Sequence, residues 1–232
     1  MPLPGASQPN TTANPTPQEG VRLNTEKKVF ELAPAGMQPA VLAEIVMIQV
    51  EEPVFEKRKK TDKTHVVDKI LLCFELAATY QDSKNEFFGK RVIISTDTYP
   101  SFSDPKHKLM KLCLSWANKK SFTDAEKAEW ADAIQAPSFL PDGKRNPASL
   151  VGAACTLHIV HGVGKASGRD YAAIENIMSP SPGYENLTIS ADYTPYAERQ
   201  RQIELRRQER EAQQQSGQSH QSTQKDEFRG QF

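Results

Sequence analysis

The sequence predicts a mainly β domain, a five-stranded barrel with helices inserted between the third and fourth strands. Three observations predict it. Five short runs in the middle of the chain are rich in β-branched residues or alternate apolar with polar. The apolar period changes from two to about 3.6 residues between the third and fourth runs. The two ends of the chain are too polar to contribute to a core.

The periodic signal runs from about Val29 to Met178. Val41 to Val50 (VLAEIVMIQV) is the first strand, alternating around Glu44 and Gln49. A polar, basic stretch follows, Phe55 to His65 (FEKRKKTDKTH), and reads as a loop. Lys69 to Ala78 (KILLCFELAA) is the second strand, Tyr80 to Glu86 a turn, and Arg91 to Thr96 (RVIIST) the third strand. Ser103-Asp104-Pro105 then offers a cap with proline at the first helical position, followed by Leu109, Leu112, Cys113 and Trp116 at helical spacing. Thr123-Asp124-Ala125-Glu126 is a capping box, Trp130 and Ile134 continue that helix, and Pro137 ends it. Ala153 to Val160 and Tyr171 to Met178 are the last two strands, joined by the glycine-rich hairpin His161 to Asp170 (HGVGKASGRD).

Strand, strand, strand, helices, strand, strand is the order of an OB fold. Another small β-barrel or an α+β sandwich is the competing reading. The chain divides into a disordered segment over 1–25, the OB-like domain over 26–185, and a polar C-terminal tail over 186–232. From about Tyr196 to Gln215 that tail is nearly all Arg, Glu and Gln, with Ile203 and Leu205 its only large aliphatics. It is expected as a solvated helix or as disorder, because it has no apolar stripe with which to dock.

Lys and Arg number 29 and Asp and Glu number 29, so net charge alone gives no case for a nucleic-acid partner; only the placement of charges can. Cys73, Cys113 and Cys155 are widely spaced and show neither a disulfide framework nor zinc spacing, which fits a reduced, cytoplasmic compartment. No apolar run approaches the roughly 20 residues that span a bilayer, and no secretory signal is read at the N-terminus.

A catalytic constellation is not legible. The chain has no P-loop, no dinucleotide fingerprint, no GxSxG and no HExxH. Gly162-Val163-Gly164 precedes a strand instead of a helix, so no helix N-terminus would face an anion there. His158 and His161, three apart in a strand, point to opposite faces and would not chelate one metal. The chain is therefore expected to be a non-enzyme with no cofactor and no metal.

A binding constellation is legible. The stretch between the first two strands holds Lys57, Arg58, Lys59, Lys60 and Lys63, with Phe55 beside them. The loop between the last two strands carries Lys165 and Arg169, followed by Tyr171. The third strand is entered through Phe88, Lys90 and Arg91 and left through Tyr99 and Phe102. In an OB fold the face of strands two and three, flanked by those two loops, takes the oligonucleotide. Cations neutralise phosphates and release counterions, and aromatic rings stack on unpaired bases. A solvated basic hairpin tip is the bland alternative for the first loop. Phe74, Trp116 and Trp130 read as core.

The segments Phe30 to Gly36 (FELAPAG), Lys69 to Leu76 (KILLCFEL), Leu109 to Trp116 (LMKLCLSW) and Leu150 to Leu157 (LVGAACTL), followed by Tyr171 to Ile174 (YAAI), resemble a group of phage and prophage proteins. In that group "PAG" precedes the first strand, "FEL" closes the second, and a Leu-x-Gly step leads into the fourth. The resemblance covers residues 29 to 180 and neither tail. It implies an OB fold and binding of single-stranded DNA in phage replication or recombination, within the host cytoplasm. Such proteins often end in an acidic tail with a terminal aromatic that recruits partners. Here Phe228 and Phe232 are present, but only Asp226 and Glu227 precede them and Arg229 interrupts. A recruiting tail for replication or recombination proteins and an idle polar tail both stay open. The rival reading of the whole chain is a virion structural or assembly protein that uses its β-barrel to bind protein.

Overall fold

The computed structural model describes residues 31–227 apart from 57, 58, 103, 105, 143 and 166, with no side chain described for 55–60 or 213–227. The expected N-terminal segment 1–25, Lys57, Arg58, Phe228 and Phe232 lie outside the described residues. So do the side chains of Phe55, Lys59 and Lys60.

The five antiparallel strands form, with two helices between the third and fourth. The elements are β1 (Gly36–Glu56), β2 (Lys59–Thr79), β3 (Arg91–Thr98), α1 (Lys108–Trp116), α2 (Asp124–Gln135), β4 (Ala154–Val163), β5 (Asp170–Met178) and α3 (Tyr196–Glu227). The sheet order is β3-β2-β1-β4-β5. The barrel does not close by hydrogen bonding: β3 and β5 approach within 8 Å, Cα to Cα, with no ladder between them.

Helix α1 lies across that unbonded side. At its start Lys108 donates to the Thr96 hydroxyl (2.6 Å) and to the Asp97 carbonyl (3.1 Å). At its end the Trp116 indole donates to the Ala154 carbonyl (3.3 Å), and Ser179, just past β5, donates to the Trp116 carbonyl (3.0 Å). Leu109, Met110, Leu112, Cys113 and Trp116 are its buried stripe, packed on Leu42, Phe74, Leu76, Ile94, Leu157, Ile159 and Ile177 from the sheet. Helix α2 adds Ile134 and Trp130, whose ring meets Trp116 at 5.9 Å and Phe122 at 5.6 Å between centroids.

Two expectations shift in detail. Helix α1 starts at Lys108 with His107 as its cap, later than the Ser-Asp-Pro signal; Asp104 instead accepts from the Lys106 amide in a tight turn. The basic stretch expected as a loop is mostly strand. β1 and β2 stay paired out to Glu56 opposite Lys59, far past the points where β4 and β3 leave them. The result is a two-stranded arm beyond Met47 and Ile70, with Met47 and Val66 exposed on it.

The segment after β5 is a strap across the outer face of the sheet. The Thr188 carbonyl accepts from Arg91 on β3 (2.7 Å), the Ser190 amide donates to Glu75 on β2 (2.7 Å), and the Tyr193 hydroxyl donates to Glu44 on β1 (3.0 Å). The chain then reverses into α3. Glu44 also accepts the first amide of that helix, from Tyr196 (2.7 Å), which places a carboxylate where the helix dipole favours one. Arg199 lies over the rings of Tyr193 and Tyr196 and donates to the Cys73 sulfur. Farther along, Arg206 pairs with Glu86 in the β2–β3 turn. The expected tail from residue 186 is thus hydrogen-bonded to the sheet over 188–199. No apolar stripe was needed, because buried Glu75 and half-buried Glu44 supply the docking points.

Glu75 is 2 % exposed and accepts from Arg91, from the Ser190 amide and from the Ser190 hydroxyl. Removing a buried acceptor orphans its donors. Glu75→Leu is expected to destabilise the fold by about 2–4 kcal/mol in denaturant unfolding. Amide protection over residues 188–199 should fall before that of the sheet. Loss of protection spread evenly over both would mean that the strap is not an independent layer.

Candidate nucleic-acid interface

The expected site residues separate into two groups at opposite ends of the sheet. The level where Ala40 faces both Leu76 and Cys155 is the reference. From there β1 and β2 run to the arm tip in one direction. β2 into its turn, and β4 into its own, run in the other. Lys63 and the backbone of Lys59 and Lys60 therefore belong to one end. Phe88, Lys90, Lys165, Arg169 and Tyr171 belong to the other. The two basic segments do not flank one mouth.

Residues 31–35 tie the two turns of the second group together. The Glu31 carboxylate accepts from the amides of Gln81 (2.9 Å) and Asp82 (2.9 Å) at the β2–β3 turn. The Ala33 carbonyl meets His161 Nε2 at 2.7 Å, near the end of β4. Phe88 is 56 % exposed and Lys90 is exposed at the first turn, while Phe87 leans on Tyr80 with centroids 5.9 Å apart. At the second turn Lys165 and Arg169 are exposed and have no ion-pair partner among the described residues. Tyr171 pairs across the strands with Gly162, and its ring covers that glycine.

Arg91 and Phe102 fall outside either group. Arg91 is turned to Glu75 (3.3 Å) and Thr188, so its charge holds the strap. Phe102 is half-buried against the core. Both were expected at the interface on strand position alone; packing takes them away from it.

Tyr99 is exposed but engaged. Its hydroxyl donates to Glu52, and Lys69 stands 5.3 Å from its ring centroid. Lys69 also pairs with Glu52 (2.7 Å) and Asp97 (2.8 Å). Lys69 holds the carboxyls of Asp97 and Glu52 below their ordinary range, and the Tyr99 hydroxyl adds to the effect on Glu52. Those same carboxylates raise the Lys69 ammonium, and the bond to Glu52 raises the Tyr99 phenol. Lys69 is thus committed to two anions, and the neighbouring Lys108 is engaged at the strand edge by the Thr96 hydroxyl and the Asp97 carbonyl.

The histidines act separately. His158 Nδ1 lies 2.8 Å from Glu175, while His161 meets Ala33. Among the described residues no three His, Cys, Asp or Glu side chains gather as metal ligands, and the three cysteines are buried and free. Burial pushes the Cys113 thiol up to about 12. Among the described residues no helix is long and apolar enough to cross a membrane. Sequence reasoning missed Gly162, Glu44 and Glu75. A glycine inside a strand was the available signal for the first. For the acids, nothing local marks an outward-facing carboxylate that a later segment will cover.

Comparison of the chain with protein-family profiles, with curated proteins and with solved structures finds no match.

Lys69→Met should lower the melting temperature at neutral pH, because Glu52 and Asp97 then lose their shared cation. Groups with depressed folded pKa values contribute stability above their unfolded values and lose it as pH falls through the folded ones. The gap between wild type and variant should therefore close as the pH drops through about 4 and below. A gap unchanged down to pH ~2 would mean the loss is one of packing.

Proposed function

We propose that this protein binds single-stranded DNA without strong sequence specificity and serves phage DNA replication or recombination. The observation that carries the reading is the end of the sheet that bears both the β2–β3 turn, with exposed Phe88 and Lys90, and the β4–β5 turn, with exposed Lys165, Arg169 and Tyr171, the two turns tied by residues 31–35. Unpaired bases need rings to stack on, and their phosphates need cations nearby. The basic segment of the sequence, Lys57 to Lys60 with Lys63, adds a second cationic contact.

The element order supports an OB-type ancestry for the sheet. The order β3-β2-β1-β4-β5, with helices between β3 and β4, is that of an OB barrel opened between its third and fifth strands. The protein acts as a binding protein with no catalytic set and no cofactor, inside the host cytoplasm. Its partners are the single strand and, through Phe228 and Phe232, replication or recombination proteins.

One observation favours the rival reading of an assembly protein. The arm has unpaired edges and exposes Met47 and Val66, which suits contact with another protein.

The deciding experiment is anisotropy of a labelled oligo-dT titrated with the full chain at two salt concentrations, beside a duplex of equal length. Binding that weakens with salt, with the duplex bound far less, supports the proposal. Each phosphate contact on a single strand adds about 0.7 to the slope of log affinity against log salt. Lys165→Ala with Arg169→Ala should lower that slope by about 1.4, and alanine at Lys57, Arg58, Lys59 and Lys60 together by up to about 2.8. No binding at low salt overturns the proposal in favour of the assembly reading.

A further inference from the structure

A bound single strand needs a face for its bases, and the two halves of the sheet differ in which outer face is open. On β1–β3 the outward positions include Glu44, Cys73, Glu75 and Arg91, all contacted by residues 188–199. Toward the arm the same face carries Lys69, Glu52, Asp97 and Tyr99, bound to one another. A base arriving there would have to displace the strap or break an ion-paired cluster with more anions than cations.

The outer face of β4–β5 is different. Cys155, Leu157, Ile159, Ile174 and Ile177 point into the core, so His158, Val160 and Gly162 on β4, with Tyr171 and Ala173 on β5, point out. Met37 on β1 sits opposite His158 and is 55 % exposed. Tyr171 is 48 % exposed, yet its ring is fixed on one side. A Cβ at position 162 would lie 2.8 Å from Cζ and Oη of that ring and 3.1 Å from Cε1. The ring rests on bare glycine backbone, and about half of the residue is open to solvent. A ring already immobilised loses little freedom when a base stacks on it, which favours binding.

The adjoining turn supplies the charge. The Gly164 amide donates to the Arg169 carbonyl (2.8 Å) and the Gly168 amide to the Gly164 carbonyl (2.7 Å). Gly168 has a φ of +62°, a conformation that favours glycine. This turn carries exposed Lys165 and Arg169 just before Tyr171 in the chain, with no carboxylate paired to either among the described residues.

We propose that the bases of a bound single strand stack on the outer face of β4–β5, on the Tyr171 ring resting over Gly162, and not on the outer face of β2–β3. The inference rests on the single-strand reading above and specifies the face it uses. Lys165 and Arg169 take the phosphates on either side of the stacked base.

The test uses the full chain, oligo-dT and ultraviolet crosslinking, with the crosslinked peptides identified by mass spectrometry. The crosslink is expected in the peptide that follows Arg169. Tyr171→Ala should weaken oligo-dT binding about 5- to 100-fold, and Tyr171→Phe by no more than about two-fold. Gly162→Ala should weaken binding several-fold while keeping the tyrosine, because the added methyl lifts the ring. Tyr99→Ala should leave affinity unchanged. Thermal melts of each variant check that the fold is retained. Crosslinks confined to β2 or β3, or a Tyr171→Ala protein that binds as wild type while Tyr99→Ala does not, would overturn the inference and leave the single-strand reading standing. Wild-type protein that binds no oligo-dT removes that reading itself, and this inference with it.

Discussion

Strand β1 is paired on both edges only at Ala40 and Val41, and much of the architecture follows from how it leaves that arrangement. Over those residues β4 holds one edge and β2 the other. At Leu42 the last links to the β4 side are made through the backbone of Gly152 and Ala153. The register then slips by one residue at Ala43, between Leu42 opposite Phe74 and Glu44 opposite Cys73. A slip of one residue exchanges the faces of a strand. It keeps Leu42 and Ile45 both on the core side and turns Glu44 outward, where the strap later finds it. Past the bulge β1 has only β2 for company, so the arm exists because β4 ends where it does.

The outer face illustrates how polar docking can replace apolar docking. Burying carboxylates is costly unless donors meet them with good geometry. Glu75 receives three and Glu44 two, most of them from the strap. The layer is thereby specific in register, since a shifted strap would leave both acids unmet. Arg199 completes it between two tyrosine rings, although its Nε finds no partner among the described residues. Burial raises the Tyr193 phenol, so that side chain remains a donor to Glu44 through ordinary pH.

The strands, both inserted helices and the core aromatics were legible because each rests on local period and capping. The Thr123–Glu126 capping box forms, and it places the Glu126 carboxyl near Lys119, which with the Thr123 amide brings it down to about 2. The arm was not legible. Residues 59–65 contain little apolar surface, and only the ladder inherited from Lys69 to Leu76 explains why they stay extended. The strap was not legible either, since its partners lie some 100 residues earlier and the acids that receive it read as surface charge. In the candidate site, residue type singled out side chains that the structure leaves exposed at the turns, Phe88, Lys90, Lys165, Arg169 and Tyr171. It could not separate Arg91 and Phe102 from Lys90 and Phe88, because only tertiary contacts, Arg91 with Glu75 and Thr188 and Phe102 with the core, withdraw the first two.

Zero net charge conceals a polar arrangement along the sheet. From the level of Ala40 the arm runs to Glu56, about 50 Å of strand contour, while the β4–β5 turn lies roughly ten residues the other way. Cations so far apart exceed the screening length of about 8 Å at physiological salt, so they cannot reinforce one another on the same phosphates. On the proposed single-strand reading, each end holds its own stretch of the bound chain. The middle of the β2–β3 face, with Lys69 consumed by Glu52 and Asp97 and Arg91 by Glu75, offers no cationic bridge between them. Stacking is then most effective where free cations and an immobilised ring coincide, which is the turn that carries Lys165, Arg169 and Tyr171. On the same reading the arm would contribute charge at a distance, and its loss should alter salt dependence without altering which ring the bases meet.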